Sequence, residues 1–206
     1  MIDLFIVIAA FLLFVALIAF LVGVSKNRRK DIFIDIEQGQ KRYGNIGEKR
    51  VTKMIKEVLT DGDYLFTNVE IEVNDQRTEL DNVIVNECGI FIIEVKNYKG
   101  RLEGTENDKN WIKYHTDDYG ITHEKIVRNP IKQVNREVYI FANFLKENDI
   151  RIWIEGYVFL LNCKSPVNSE KMLRTRKDID LAIHTLKGKK LNKKVIEKAV
   201  DVISYG

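Results

Sequence analysis

Residues 78–100 read TELDNVIVNECGIFIIEVKNYKG, two apolar runs interrupted by Asp81, Glu94 and Lys96. Burying a lone carboxylate or ammonium costs several kcal/mol unless the group is paired or holds a metal, so each of the three needs a partner. Asn86-Glu87-Cys88-Gly89, between the runs, has Asn at the first and Gly at the fourth position of a type I turn. Closing the turn there pairs Val85 with Ile90, and sets Asp81 opposite Glu94 and Glu79 opposite Lys96. Opposed side chains on one face of an antiparallel pair have Cβ atoms about 4.5 to 5.5 Å apart. Asp81, Glu94 and Lys96 are therefore expected at one end of one face, with Val83, Val85, Ile90 and Ile92 filling the rest. Leu80, Ile84, Phe91, Ile93 and Val95 are expected on the reverse face.

Two opposed carboxylates repel each other unless one is protonated or a cation lies between them. A hard divalent ion resolves that conflict, and carboxylates with backbone carbonyls are the oxygen ligands that Mg²⁺ accepts. Lys96, two residues beyond Glu94, adds a fixed positive charge suited to an oxygen developing negative charge or to placing an attacking water. The pattern alone also fits a cross-strand salt-bridge patch, Glu79 to Lys96 with Asp81 nearby, at a partly exposed strand end.

The elements that must position these groups are legible around them. NIGEKRVTKMIKEVLTDGDY places Val51, Met54, Ile55, Val58 and Leu59 at helical spacing and ends at Asp61-Gly62. Glu48 projects from the buried stripe near the start of that helix, either toward a site or as an ordinary cap and dipole partner. YLFTNVEIEV alternates like a strand, and the two runs of 78–100, apolar on both faces, read as central strands. GTENDKNWIKYHTDDYG reads as turn-rich. Asn129-Pro130 then starts a helix with Pro at its first position and Val134, Val138, Phe141 and Leu145 along its core stripe. RIWIEGYVFLLN is a further buried strand, and residues 169–203 hold two helical patterns separated near Gly188. Strands in the middle with helices before and after give a mixed α/β layer architecture.

Upstream, residues 4–24 are 21 uncharged, mostly apolar positions. At about 1.5 Å per residue they match the roughly 30 Å of bilayer hydrocarbon. A cleaved signal needs a basic start and a small-residue cleavage site, neither of which is present, so a retained transmembrane helix is expected. Lys26, Arg28, Arg29 and Lys30 follow at once and orient the bulk of the chain to the cytoplasm. With Lys41 and Arg42 they either touch anionic headgroups or serve topology alone. Residues 25–43 read as a basic juxtamembrane connector. Residues 26–206 carry a formal charge of +4, too small by itself to argue nucleic-acid binding. Cys88 and Cys163 match no zinc spacing and suit a reducing compartment. His115, His123 and His184 show no metal spacing.

Glu48 on a helix, then Asp81, then Glu94-Val95-Lys96 on the next strand, resembles the PD-(D/E)xK nuclease superfamily. More narrowly, IGEKRV, ELDNVIV, GIFIIEVKNYKG, Trp111 and NPIKQ (Asn129 to Gln133) in this order resemble the nuclease-related domain, NERD, from about Gly44 to Leu161. Leu80 stands where the superfamily's name has proline, a residue that ligates nothing. The resemblance implies a restriction-endonuclease-like mixed β-sheet flanked by helices, over 44–162, with 163–206 as a helical segment packing on that core. It implies Mg²⁺- or Mn²⁺-dependent hydrolysis of nucleic acid, DNA before RNA. Asp81, Glu94 and Glu48 would hold the metal, Lys96 would be the catalytic lysine, and Gln133 a second helical polar group at the site. The combined expectation is a single-pass membrane protein, held in the bilayer by residues 4–24, with a cytoplasmic nuclease domain. The rival reading is a catalytically silent nucleic-acid-binding or protein-interaction module on the same tether.

Overall fold

The computed structural model describes residues 44–165 and 167–205. The apolar run 4–24 and the connector 25–43 lie outside the described residues, and no helix among the described residues is long and apolar enough to cross a membrane.

Helix α1 covers residues 44–56 and buries Val51 and Ile55 at the expected spacing. Seven strands follow the pattern β1 (Tyr64–Val73), β2 (Gln76–Asn86), β3 (Gly89–Glu103), β4 (Asn110–Thr116), β5 (Thr122–Arg128), β6 (Ile154–Lys164) and β7 (Met172–Leu173). Helix α2 (Pro130–Glu147) separates β5 from β6, and α3 (Arg176–His184) and α4 (Lys193–Tyr205) close the chain. β1 and β2 form a hairpin across Asn74-Asp75, both at positive φ (50° and 59°), the signature of a two-residue turn matched to strand twist.

β3 is the hub of one mixed sheet. Its first half lies between antiparallel β2 and parallel β6, its last residues pair with β4, and β5 and β7 complete the edges. A register shift against β6 between Asn97 and Gly100 lets β3 change neighbours. Gly100 (φ 96°) is required there, because a Cβ would lie 2.0 Å from the Tyr114 carbonyl oxygen.

Helices cover both faces of the sheet. α2 and α4 pack with Val83, Val85, Ile90, Ile92, Val158 and Leu160, while α1 and α3 pack with Ile84, Phe91, Ile93, Val95 and Phe159. This is the mixed α/β sheet flanked by helices that a nuclease-like fold calls for. The predicted register of the β2–β3 turn is observed, from Asn86↔Gly89 to Val83↔Ile92.

Three expectations are corrected. GTENDKNWIKYHTDDYG contains β4 and half of an exposed ribbon, concealed because Trp111 is its one fully buried side chain and polar residues fill both faces elsewhere. Leu80 packs in the α2-side cluster with Val83 and Val85 rather than on the reverse face. Its side changes because the β1–β2 ladder skips from Thr67↔Asn82 to Val69↔Leu80, with Asn68 left-handed at φ 54°. Glu79 pairs across β1 with Glu70, and the β2–β3 ladder ends at Val83↔Ile92, before Asp81 could oppose Glu94 or Glu79 oppose Lys96.

Candidate functional site

The β2–β3 ladder ends at Val83↔Ile92, and side chains take over the hydrogen bonds that the strands relinquish. The Val95 N–H donates to Asp81 Oδ2 at 2.7 Å, and Asn82 Nδ2 donates to the Ile93 carbonyl at 3.4 Å. Asn82 is fully buried, and its Oδ1 accepts from Thr52 Oγ1 of α1 at 2.6 Å. Two consecutive polar side chains thus wedge the strands apart and fasten the wedge to α1. A buried backbone group left without a partner would be costly, which explains why Asp and Asn stand where the pairing fails.

Glu94 lies on the α2 side of the opening at 4% exposure. Its Oε1 is ion-paired with Lys96 Nζ and accepts from Gln133 Nε2 at 2.6 Å. Gln133 Nε2 also reaches Glu137 Oε1 at 2.9 Å, one turn further along α2, bridging two carboxylates. Gln133 is aimed by the start of α2, where Asn129 Oδ1 caps the Ile131 N–H (2.9 Å) and Asn129 Nδ2 donates to the Thr105, Glu106 and Asp108 carbonyls.

The electrostatics express a shortage of positive charge. Burial, and then the Glu94 charge, push the Asp81 carboxyl up to about 8, against the lowering effect of the Val95 N–H. Burial and Glu94 likewise raise Glu137 to about 7. Glu48 on α1 is raised by burial and by Glu79 and Glu94. Burial works to lower Lys96, but the Glu94 charge and hydrogen bond outweigh it and hold the ammonium above its ordinary value. Lys96 is thus a fixed cation at neutral pH, unsuited to act as a base.

Glu94, Lys96 and Gln133 are brought into direct contact, Asp81 joins them through the Val95 amide, and Glu48 faces the same charges from α1. Glu137 escaped the sequence reading, although it stands three residues after Val134 and four before Phe141, on the core stripe. A glutamate at 2% exposure on such a stripe needs a reason. Its Oε2 is buried without a hydrogen-bond partner among the described residues. His184 lies elsewhere, its ring between Asp180 (2.6 Å) and Asp63 (3.0 Å), and His123 contacts Asp117 (2.8 Å) on the exposed ribbon.

The donor chemistry fits a hard divalent cation: carboxylate oxygens, several of them on groups whose pKa burial and neighbouring carboxylates raise, and an unsatisfied carboxylate oxygen on Glu137. The ligands are not gathered in advance, because among the described residues no three His, Cys, Asp or Glu side chains are grouped to hold a metal ion. Lys96 and Gln133 instead share the Glu94 oxygen.

The family model of the nuclease-related domain, NERD, matches residues 43–161. An uncharacterized protein of Bacillus anthracis is 34% identical over 70 residues, 33% of this chain and 32% of that protein, so the chain spans about a third of the length of that relative. No solved structure matches the chain. With more than half its length matched, including every strand and helix that supplies the carboxylate cluster, the chain belongs to the nuclease-related domain family.

Proposed function

We propose that this protein is a divalent-metal-dependent nuclease that hydrolyses phosphodiester bonds of DNA, with RNA as the lesser substrate, and is anchored in the membrane by residues 4–24. The observation that carries the reading is the convergence of Asp81, Glu94 and Lys96 where β2 and β3 part, between Glu48 on α1 and Gln133 on α2. Asp81, Glu94 and Glu48 would hold Mg²⁺ or Mn²⁺. When bound, such an ion supplies Lewis-acid stabilisation of phosphoryl charge and a more acidic water. The chain's own residues do the rest. Gln133 fixes the Glu94 carboxylate, Asp81 must release its proton before it can ligate, and Lys96 presents positive charge to an oxygen becoming negative.

The test is cleavage of DNA and RNA by the full-length protein with Mg²⁺, with Mn²⁺ and with a chelator. Divalent-dependent cleavage supports the reading, and metal-independent cleavage overturns the mechanism. A second reading, a noncatalytic nucleic-acid-binding or interaction module, is favoured by the Lys96–Glu94 ion pair and by the absence of a pre-gathered metal cluster among the described residues. Binding without cleavage across both nucleic acids would select it. The anchor rests on the apolar run and the basic cluster after it. A reporter fused after Gly206 should behave as cytoplasmic, and activity on the other side of the membrane would reverse the topology.

A further inference from the structure

We propose that the cavity between α1 and β1 seats the phosphodiester backbone of one nucleic-acid strand and leads it to the Asp81–Glu94 carboxylates, an inference that rests on the nuclease reading above. The cavity measures about 410 Å³, and its lining includes Glu48, Lys49, Thr52, Lys53, Lys56 and Asn68. Lys49, Lys53 and Lys56 recur at the spacing that places residues on one stripe of a helix. Three ammonium groups in a row repel one another, and a polyanion lying along them removes that cost. Glu57, just past the end of α1, is engaged by Arg176 of α3 instead.

The length of the stripe selects a strand over a mononucleotide. Lys49 to Lys56 spans about 10 Å of helix, more than a single phosphate group can bridge, so the three ammonium groups engage successive phosphates of a strand rather than one. The hydroxyl of Thr52 and the amide of Asn68 add the neutral hydrogen-bonding groups that phosphate and sugar oxygens accept.

The cavity is also continuous with the chemistry. Thr52 holds Asn82, half of the wedge that opens β2 from β3. Asn68, left-handed at φ 54°, stands opposite Asp81 at the skipped step of the β1–β2 ladder, so one kink both shapes the cavity wall and presents the carboxylate. Glu48 lines the cavity and lies within charge reach of Glu94 and Lys96.

The experiment measures binding of fluorescent single-stranded and duplex oligonucleotides to full-length protein over a salt series, for wild type, for Lys49→Gln/Lys53→Gln/Lys56→Gln, and for the charge-matched Lys146→Gln/Lys189→Gln/Lys194→Gln. Every phosphate that a lysine no longer neutralises lowers the slope of log K against log salt by about 0.9 on duplex and about 0.7 on single strands. The cavity variant should therefore lose about 2 to 3 in slope while the matched variant keeps wild-type behaviour. In cleavage, the loss should fall on KM rather than kcat. Equal slopes for the two triple variants, or a mononucleotide competing as well as an oligonucleotide, would overturn this inference while Mg²⁺-dependent cleavage by wild type left the nuclease reading standing. Wild type that neither binds nor cleaves would overturn both.

Discussion

Replacing Asp81 with Asn should stabilise the metal-free protein at alkaline pH while abolishing its activity. One pKa unit corresponds to about 1.4 kcal/mol, so the displacement of Asp81 from 3.8 to about 8 caps the cost of ionising it in the fold at about 6 kcal/mol. The proton belongs to the Asp81–Glu94 pair rather than to one group, and partial solvation relieves part of the conflict, which brings the realistic cost to about 2 to 4 kcal/mol. Asn keeps the shape and still accepts from the Val95 N–H, but trades a charge-assisted bond for a neutral one, a loss of about 1 kcal/mol. The sign follows from linkage. The folded-state pKa lies above the unfolded one, so the contribution of Asp81 is fully present below about pH 4 and is lost as pH rises toward about 8. At about pH 9 in chelator, Asp81→Asn should therefore exceed wild type by about 1 to 3 kcal/mol, and at about pH 5 it should match wild type or fall slightly below it. Saturating Mg²⁺ should reverse the order at high pH, since a ligand at a hundredfold over Kd adds about 2.7 kcal/mol to the form that binds it. Urea unfolding followed by tryptophan fluorescence is suitable, because Trp111 is buried and reports loss of the core. A variant less stable than wild type at about pH 9 in chelator, or stabilised by Mg²⁺ as much as wild type, would refute the argument that these carboxylates are crowded for a cation's sake.

Lys96→Ala should lower cleavage about 10² to 10³-fold with nucleic-acid binding largely kept, because one electrostatic donor is removed and many phosphate contacts remain; single-turnover rates beside binding isotherms check it. Gly47→Ala should lower stability by about 1 to 3 kcal/mol in thermal unfolding and reduce activity with it, since the new Cβ would lie 2.6 Å from the Asn97 Cβ and lever α1, with Glu48, away from β3. Asn129→Ala should lower stability by about 2 kcal/mol or more, as it removes a helix cap and leaves three loop carbonyls without their donor, with unfolding by urea as the measure.

How much of this was legible from residues varies with the range of the physics involved. The register of the β2–β3 turn, Asn86↔Gly89 to Val83↔Ile92, was readable because Asn86 and Gly89 define a turn and a turn propagates its register along both strands; the expected Asp81–Glu94 pair lies beyond the point where that ladder ends. The start of α2 was readable for the same local reason, a capping Asn before a Pro. The ribbon β4–β5 was not, because strands exposed on both faces carry no hydrophobic alternation. The side of Leu80 was misread because its cause lies in another strand, the left-handed Asn68 across from Asp81.

By itself the sequence determined the elements apart from the β4–β5 ribbon, the apolar faces apart from Leu80, and the motif residues Asp81, Glu94, Lys96, Glu48 and Gln133, since periodicity and turn chemistry act over a few residues and the family motifs are strings of residues. The tertiary structure alone decided what those groups do to one another. Lys96 pairs with Glu94 and not Glu79, since the strands part before the longer-range pair can form, and Gln133 spans Glu94 and Glu137 from a helix whose position depends on the whole sheet. The Asp81 carboxyl is held well above the ordinary carboxylate range because burial and a neighbouring carboxylate act together. Both are properties of packing, as burial and charge proximity exist only once distant segments meet.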